Sequence, residues 1–132
     1  MTKFKALAVT LIALWLSGCA APSATELANA DYGPYPAEYE QVIKRHLDFV
    51  LKDPDSAKIN IVKRPSTGWS GLGGRKYGWI VCAEVNAKNS YGGYTGSRLS
   101  FFMLKNDSVI QYMISDNNPI TQGMIESGCG YR

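Results

Sequence analysis

The first twenty residues, MTKFKALAVTLIALWLSGCA, constrain this chain more than any later stretch, because they decide where it folds and which residue comes first. Lys3 and Lys5 make a positive start, residues 6–16 are almost wholly apolar, and the small residues Ser17 and Gly18 follow. A charged start, a short apolar core and small residues at the cut are the anatomy of a secretory signal peptide. The apolar run falls short of the ~20 residues a membrane-spanning helix needs. Residues 1–18 are therefore read as a signal that is removed, and the rest as a chain that folds outside the cytoplasm.

Leu16, Ser17, Gly18 and Cys19 resemble the bacterial lipobox. That resemblance implies diacylglycerol on the Cys19 sulfur, cleavage before Cys19, and an acylated residue 19, carrying chains such as palmitate, as the new N-terminus. The alternative is an ordinary export signal with a cysteine at this place by chance. Each buried CH₂ of an acyl chain contributes about 0.8 kcal/mol, so two or three chains anchor a protein firmly. Residue 20 is Ala rather than Asp, which in lipoproteins of enteric type favours the outer membrane over retention at the inner one. The expected location is the periplasm-facing outer membrane, through a lipid anchor.

Removing residues 1–18 leaves 114 residues and changes the charge. Lys+Arg falls from 14 to 12 with Lys3 and Lys5, Asp+Glu stays at 11, and the side-chain balance drops from +3 to +1. Nucleic acid, recognised first through a dense positive field, is not an expected partner. Acylation of Cys19 would leave Cys82 and Cys129, an even pair in an exported chain, which reads as a disulfide. The bridge would close 47 positions of chain, which in the loop-entropy model contributes about 4 kcal/mol. The rival reading, Cys82 as a nucleophile, would have to find its base in His46, the one His of the chain, on a different expected element.

Residues 19–35 are small, polar and punctuated by Pro and Gly, and read as a flexible tether between lipid and domain. Residues 36–132 read as one small α+β domain. Tyr39, Ile43, Leu47, Val50 and Leu51 form the stripe of an amphipathic helix that starts near Pro36 and stops before Asp53-Pro54. His46 falls beside that stripe as a half-buried surface residue. Strands are expected near 58–64, 77–87, 97–105 and 108–115, with a long Gly-rich loop at 65–78. The GLGGRK segment in that loop lacks the pattern and the following helix of a phosphate-binding loop. A short helical turn is expected at Ile120–Glu126. Together these give one N-terminal amphipathic helix on an antiparallel sheet of about four strands.

Between the second and third strands stands VNAKNSYGGYTG, residues 85–96. A hairpin loop needs positive φ, which Gly92, Gly93 and Gly96 can supply. It does not need two tyrosines. Tyr offers large contact area at low entropy cost and is enriched in binding surfaces. Lys88, Asn89, Tyr91 and Tyr94 are therefore a candidate binding loop. Tyr94, near the far end, is the expected contact and Tyr91 the expected packing residue, with Lys88 a cation suited to an acidic or sugar-phosphate surface. The alternative is that both rings fold back onto the domain.

The run CAEVNAKNSYGGYTG, with LKDPDSAK about 25 residues ahead, resembles a family of small bacterial exported proteins and lipoproteins. The resemblance covers about residues 38–104. It rests on Asp53, Pro54, Ser56 and Ala57, then on Cys82, Asn86, Ala87, Lys88, Asn89, Gly92, Gly93, Tyr94 and Gly96. Ala83 departs from the Gly that often follows the Cys in that family. The resemblance implies no activity, ligand or cofactor.

Acid–base and nucleophilic catalysis need a base beside a nucleophile, or paired carboxylates. One His is present, and Glu84, Asp107 and Asp116 fall at separate strand and turn positions, so no catalytic residues are expected. A metal site needs three or four clustered ligands, and the sequence offers no such cluster. The expectation is a non-enzymatic envelope lipoprotein that binds an envelope protein or cell-wall component. Two alternatives stay open: an inhibitor of a wall-degrading enzyme such as lysozyme, and a structural accessory of a secretion, conjugation or phage-derived apparatus.

Overall fold

A computed structural model describes residues 20–131, so the signal 1–18 and Cys19 lie outside the described residues. Four strands, β1 (Asp53–Ser70), β2 (Lys76–Lys88), β3 (Arg98–Lys105) and β4 (Ser108–Ile114), pair antiparallel in the order β1-β2-β3-β4. Every strand lies beside its neighbour in sequence, so short turns suffice. The described residues also hold helices α1 (Ala24–Asn29), α2 (Tyr39–Val50) and α3 (Pro119–Cys129). The α+β class and the four-stranded antiparallel sheet agree with expectation; three helices stand where one was expected.

The period-two pattern of the central strands explains the layering. Val81, Ala83 and Val85 of β2 face one side, where they meet Phe102 and Leu104 of β3 and Val42, Ile43 and Leu47 of α2. Ile80 and Cys82 face the other side, where they meet Phe101 and Met103 of β3 and Ile125 and Cys129 of α3. Both faces of β2 and β3 are thus covered, which is why those strands carry so few polar residues. Cys82 and Cys129 form the expected disulfide, with their Cα atoms 6.0 Å apart, and join α3 covalently to β2.

Helix α3 is longer than the turn expected at Ile120–Glu126. Asn118 caps it by accepting from the Ile120 N–H at 2.9 Å, Pro119 occupies the first turn, and Gly130 closes it at φ 83°. Helix α2 begins at Tyr39, three residues later than the expected start, because Pro36 is used in a turn in which its carbonyl accepts from the Tyr39 N–H.

The expected loop at 65–78 is instead a hairpin. β1 continues through Pro65 and Gly68 to Ser70, and only residues 71–75 turn. Pro65 is tolerated because β1 is an edge strand whose register shifts between Lys63 and Ser66. Gly68 and Gly78 pair across the hairpin. A Cβ on Gly78 would lie 2.7 Å from the Leu104 carbonyl oxygen, so this glycine permits close approach of β2 to β3.

The segment expected as a tether at 19–35 is partly structured. Helix α1 belongs to a unit that ends at Ala30 and is closed by a capping box, in which Ser23 and Glu26 each bond the other's backbone N–H. The sheet's own unit begins at Asp31 rather than 36. The Asp31 carbonyl accepts from Lys105 Nζ at 2.8 Å, and the Gly33 carbonyl accepts from Trp79 Nε1 at 3.1 Å. Tyr35 meets Trp79 edge-on at 5.2 Å. Pro and Gly made the segment read as flexible, whereas its tyrosines find apolar surface on β2.

Candidate functional site

The β2–β3 connection is a hydrogen-bonded turn. The Asn89 N–H donates to the Gly93 carbonyl at 2.8 Å, and the Gly92 N–H donates back to the Asn89 carbonyl at 3.1 Å. The Asn89 side-chain oxygen also accepts from the backbone N–H groups of Tyr91 and Gly93, the Asx pattern that makes Asn a turn former. Beyond it the Thr95 N–H donates to the Ala87 carbonyl, and the Gly96 N–H to the Asn86 side chain. Gly92 and Gly96 take positive φ, at 82° and 97°. Gly93, expected to share that role, does not.

The exposure of the two tyrosines is the reverse of the expected one. Tyr91 is 97% exposed, whereas Tyr94 is 43% exposed. Tyr94 forms a bridge with Lys88, its hydroxyl donates to the Ser56 carbonyl at 3.2 Å, and its ring lies beneath Lys58 Nζ at 4.6 Å and Lys88 Nζ at 5.5 Å. The cause is alternation: once Tyr94 pairs with Lys88 its ring lies against the start of β1, at Ser56 and Lys58, while Tyr91 stands at the apex of the turn. Lys88 and Asn89 are also placed here, Lys88 over the Tyr94 ring and Asn89 as the turn's organiser.

Ser56, whose motif lies 32 positions before Lys88, accepts from the Lys88 N–H at 2.9 Å. The D-P-x-S-A segment and the Gly/Tyr loop are therefore one structural unit. Beside the loop's exit, Thr95, Arg98, Ser115, Asp116 and Asn117 surround a polar pocket of about 290 Å³.

On the α3 face, between that helix and the end of the β1–β2 hairpin, lies an open groove of about 910 Å³ that the sequence reading missed. Phe101 and Met113 form part of its floor, with Gln111 beside them. Its one signal in the sequence is Gln111 itself, the polar residue inside the otherwise apolar run VIQYMI.

His46 sits half-buried on α2, with its ring 5.0 Å from that of Tyr112 and its Nε2 buried without a partner. Burial lowers its pKa below the usual histidine range. Burial likewise raises the pKa of Tyr112. Among the described residues no three of His, Cys, Asp and Glu gather to hold a metal ion. Glu84 is exposed on β2, Asp107 lies in the β3–β4 turn, and the Asp116 carboxylate accepts from the Asn118 N–H. No protein-family model, curated protein or solved structure matches this chain.

Proposed function

We propose that the protein is a lipid-anchored bacterial envelope module that binds an envelope protein or a wall component at the periplasmic side of the outer membrane and carries out no reaction of its own. The observation behind this reading is Tyr91, an almost wholly exposed aromatic at the apex of a turn that hydrogen bonds hold in shape. A large ring left in water without a packing role is free to supply contact area to a partner, and the turn that carries it is already held in shape. Lys58 and Lys88, stacked over Tyr94 beside it, give the same surface a positive border. The lipobox-like LSGC and the Cys82–Cys129 bridge support an exported, oxidised setting. Kinship with the small exported proteins that share the two motifs belongs to the same reading, and the contact between Ser56 and Lys88 supports it by making the motifs a single unit.

The test is capture from cross-linked envelope extract with the wild type and with Tyr91→Ala. A specific partner retained by the wild type and lost from the folded variant supports the reading; equal capture by both removes the loop from it. An assay of lysozyme inhibition run alongside distinguishes the inhibitor alternative, which would use the same exposed apex.

A further inference from the structure

Gln111 presents an unusual balance. Its Nε2 and Oε1 are both excluded from solvent and neither meets a hydrogen-bond partner. Buried carboxamides are ordinarily satisfied, because a dry unpaired donor or acceptor costs about 1–3 kcal/mol. Gln111 pairs with Met103 across β3–β4, next to an irregularity in register, and so lies on the α3 face at the groove. Turning its three-bond side chain into the groove would break no hydrogen bond, since it has none.

The surroundings limit what could pair with it. Leu72, Ile120 and Met124 are exposed at the groove's rim, Leu72 at 50% and Ile120 at 70%, and Trp69 stands beside them. The charged side chain among the lining residues is Lys63, whose ammonium donates to the Gly128 carbonyl at the end of α3. A ligand here must therefore be apolar at several points, yet offer a donor and an acceptor together. An extended peptide does this: the N–H and C=O of one residue point to the same side, while alternate side chains share a face. One carboxamide can accept from that N–H and donate to that C=O. A sugar would instead set hydroxyls against Leu72, Ile120 and Met124.

We propose that this groove binds an extended segment of polypeptide, with the Gln111 carboxamide pairing to its backbone and the aliphatic rim receiving alternate apolar side chains. The site is separate from the Tyr91 loop. Its α3 wall is joined to β2 by the Cys82–Cys129 bond and is formed before any ligand arrives, which lowers the cost of binding.

The experiment pans phage-displayed random decapeptides against the full chain and titrates synthetic copies of the enriched sequences. We expect sequences with apolar residues at alternate positions. They should shift the side-chain amide NMR signals of Gln111. Gln111→Leu should weaken them on the order of tenfold or more, and Ile120→Ser should weaken them too, while Tyr91→Ala binds them as the wild type does. Gln111→Leu removes an unpaired buried amide and should fold at least as well as the wild type, so its loss of binding would not reflect unfolding. The proposal is overturned by no enrichment, by enriched peptides that bind Gln111→Leu undiminished, or by Gln111 signals that move with triacetylchitotriose and not with peptide.

Discussion

The Ser56 hydroxyl accepts from the Lys88 N–H at 2.9 Å and donates to the Asp53 carbonyl at 2.7 Å, so one side chain bridges a gap in the β1–β2 ladder. Lys88 pairs with Asp53, and the register shifts between Asp53 and Lys58, so the Ser56 side chain lies at the break. Ser56→Ala would strip a half-buried backbone group of its acceptor. The expected cost is about 1–3 kcal/mol, read as a lower urea midpoint with an unchanged slope, and Ser56→Thr should recover much of it. An unaltered midpoint in Ser56→Ala would show that water replaces the hydroxyl.

Tyr91 and Tyr94 should separate in the same measurement. Tyr94→Ala removes a hydroxyl bond to Ser56 and the ring beneath two ammonium groups. It should destabilise by about 1–2 kcal/mol. Tyr91→Ala should stay within about 0.5 kcal/mol of the wild type, as exposed substitutions usually do. A reversed order of melting temperatures would return Tyr91 to the folded core.

Much of the sheet was legible because β2 and β3 alternate cleanly, and the bridge was legible because two cysteines remained once Cys19 was set aside. What failed was the reading of glycine and proline. Gly68, Gly78 and Pro65 suggested a loop, yet they lie in strands: the pattern shows that a Cβ or an N–H is missing, not whether closeness or mobility is the reason. The choice between Tyr91 and Tyr94 depended on a single pairing, Tyr94 with Lys88, which period-two reasoning could not extend past the turn. The groove was hidden because its parts come from β1, the two central strands, β4 and α3, and their meeting is a property of the fold. Gln111 alone could have marked it.

Acid should weaken the fold through His46. Burial lowers its folded-state pKa below the unfolded value of about 6.5. Between those two values the unfolded chain binds more protons, so stability rises with pH there and is lost as pH falls through that window. The melting temperature should be lower at pH 5 than at pH 7.5, and His46→Phe should flatten the difference. Asp31, whose pKa is lowered first by its bond to Lys105, acts in a separate window at more acidic pH. A proton titration placing His46 at or above 6.5 would refute the assignment.

Cys19 lies outside the described residues, and its acylation is testable directly. Cys19→Ser should abolish incorporation of labelled palmitate and leave the protein unprocessed or soluble in the periplasm. Globomycin should block maturation of the wild type. Processing that ignores the drug, with no lipid label, would reduce LSGC to an ordinary cleavage site.

The Cys82–Cys129 bond should matter most where α3 meets the sheet. Closing 47 positions contributes about 4 kcal/mol in the loop-entropy model. An 11-residue helix with two internal glycines has little stability of its own, and α3 keeps its place through Ile125, Cys129 and the approach of Gly128 to the Phe101 ring. In the Cys82→Ser/Cys129→Ser double variant, amide exchange should therefore quicken first over Ile125–Cys129, while β2 and β3 stay protected up to global unfolding. The whole domain should also melt earlier than the oxidised wild type. If the double variant exchanges uniformly faster across α3 and the sheet alike, the helix is not a separately loosened wall. If α3 protection survives unchanged, packing against Phe101 suffices and the bond is dispensable for holding that side of the groove.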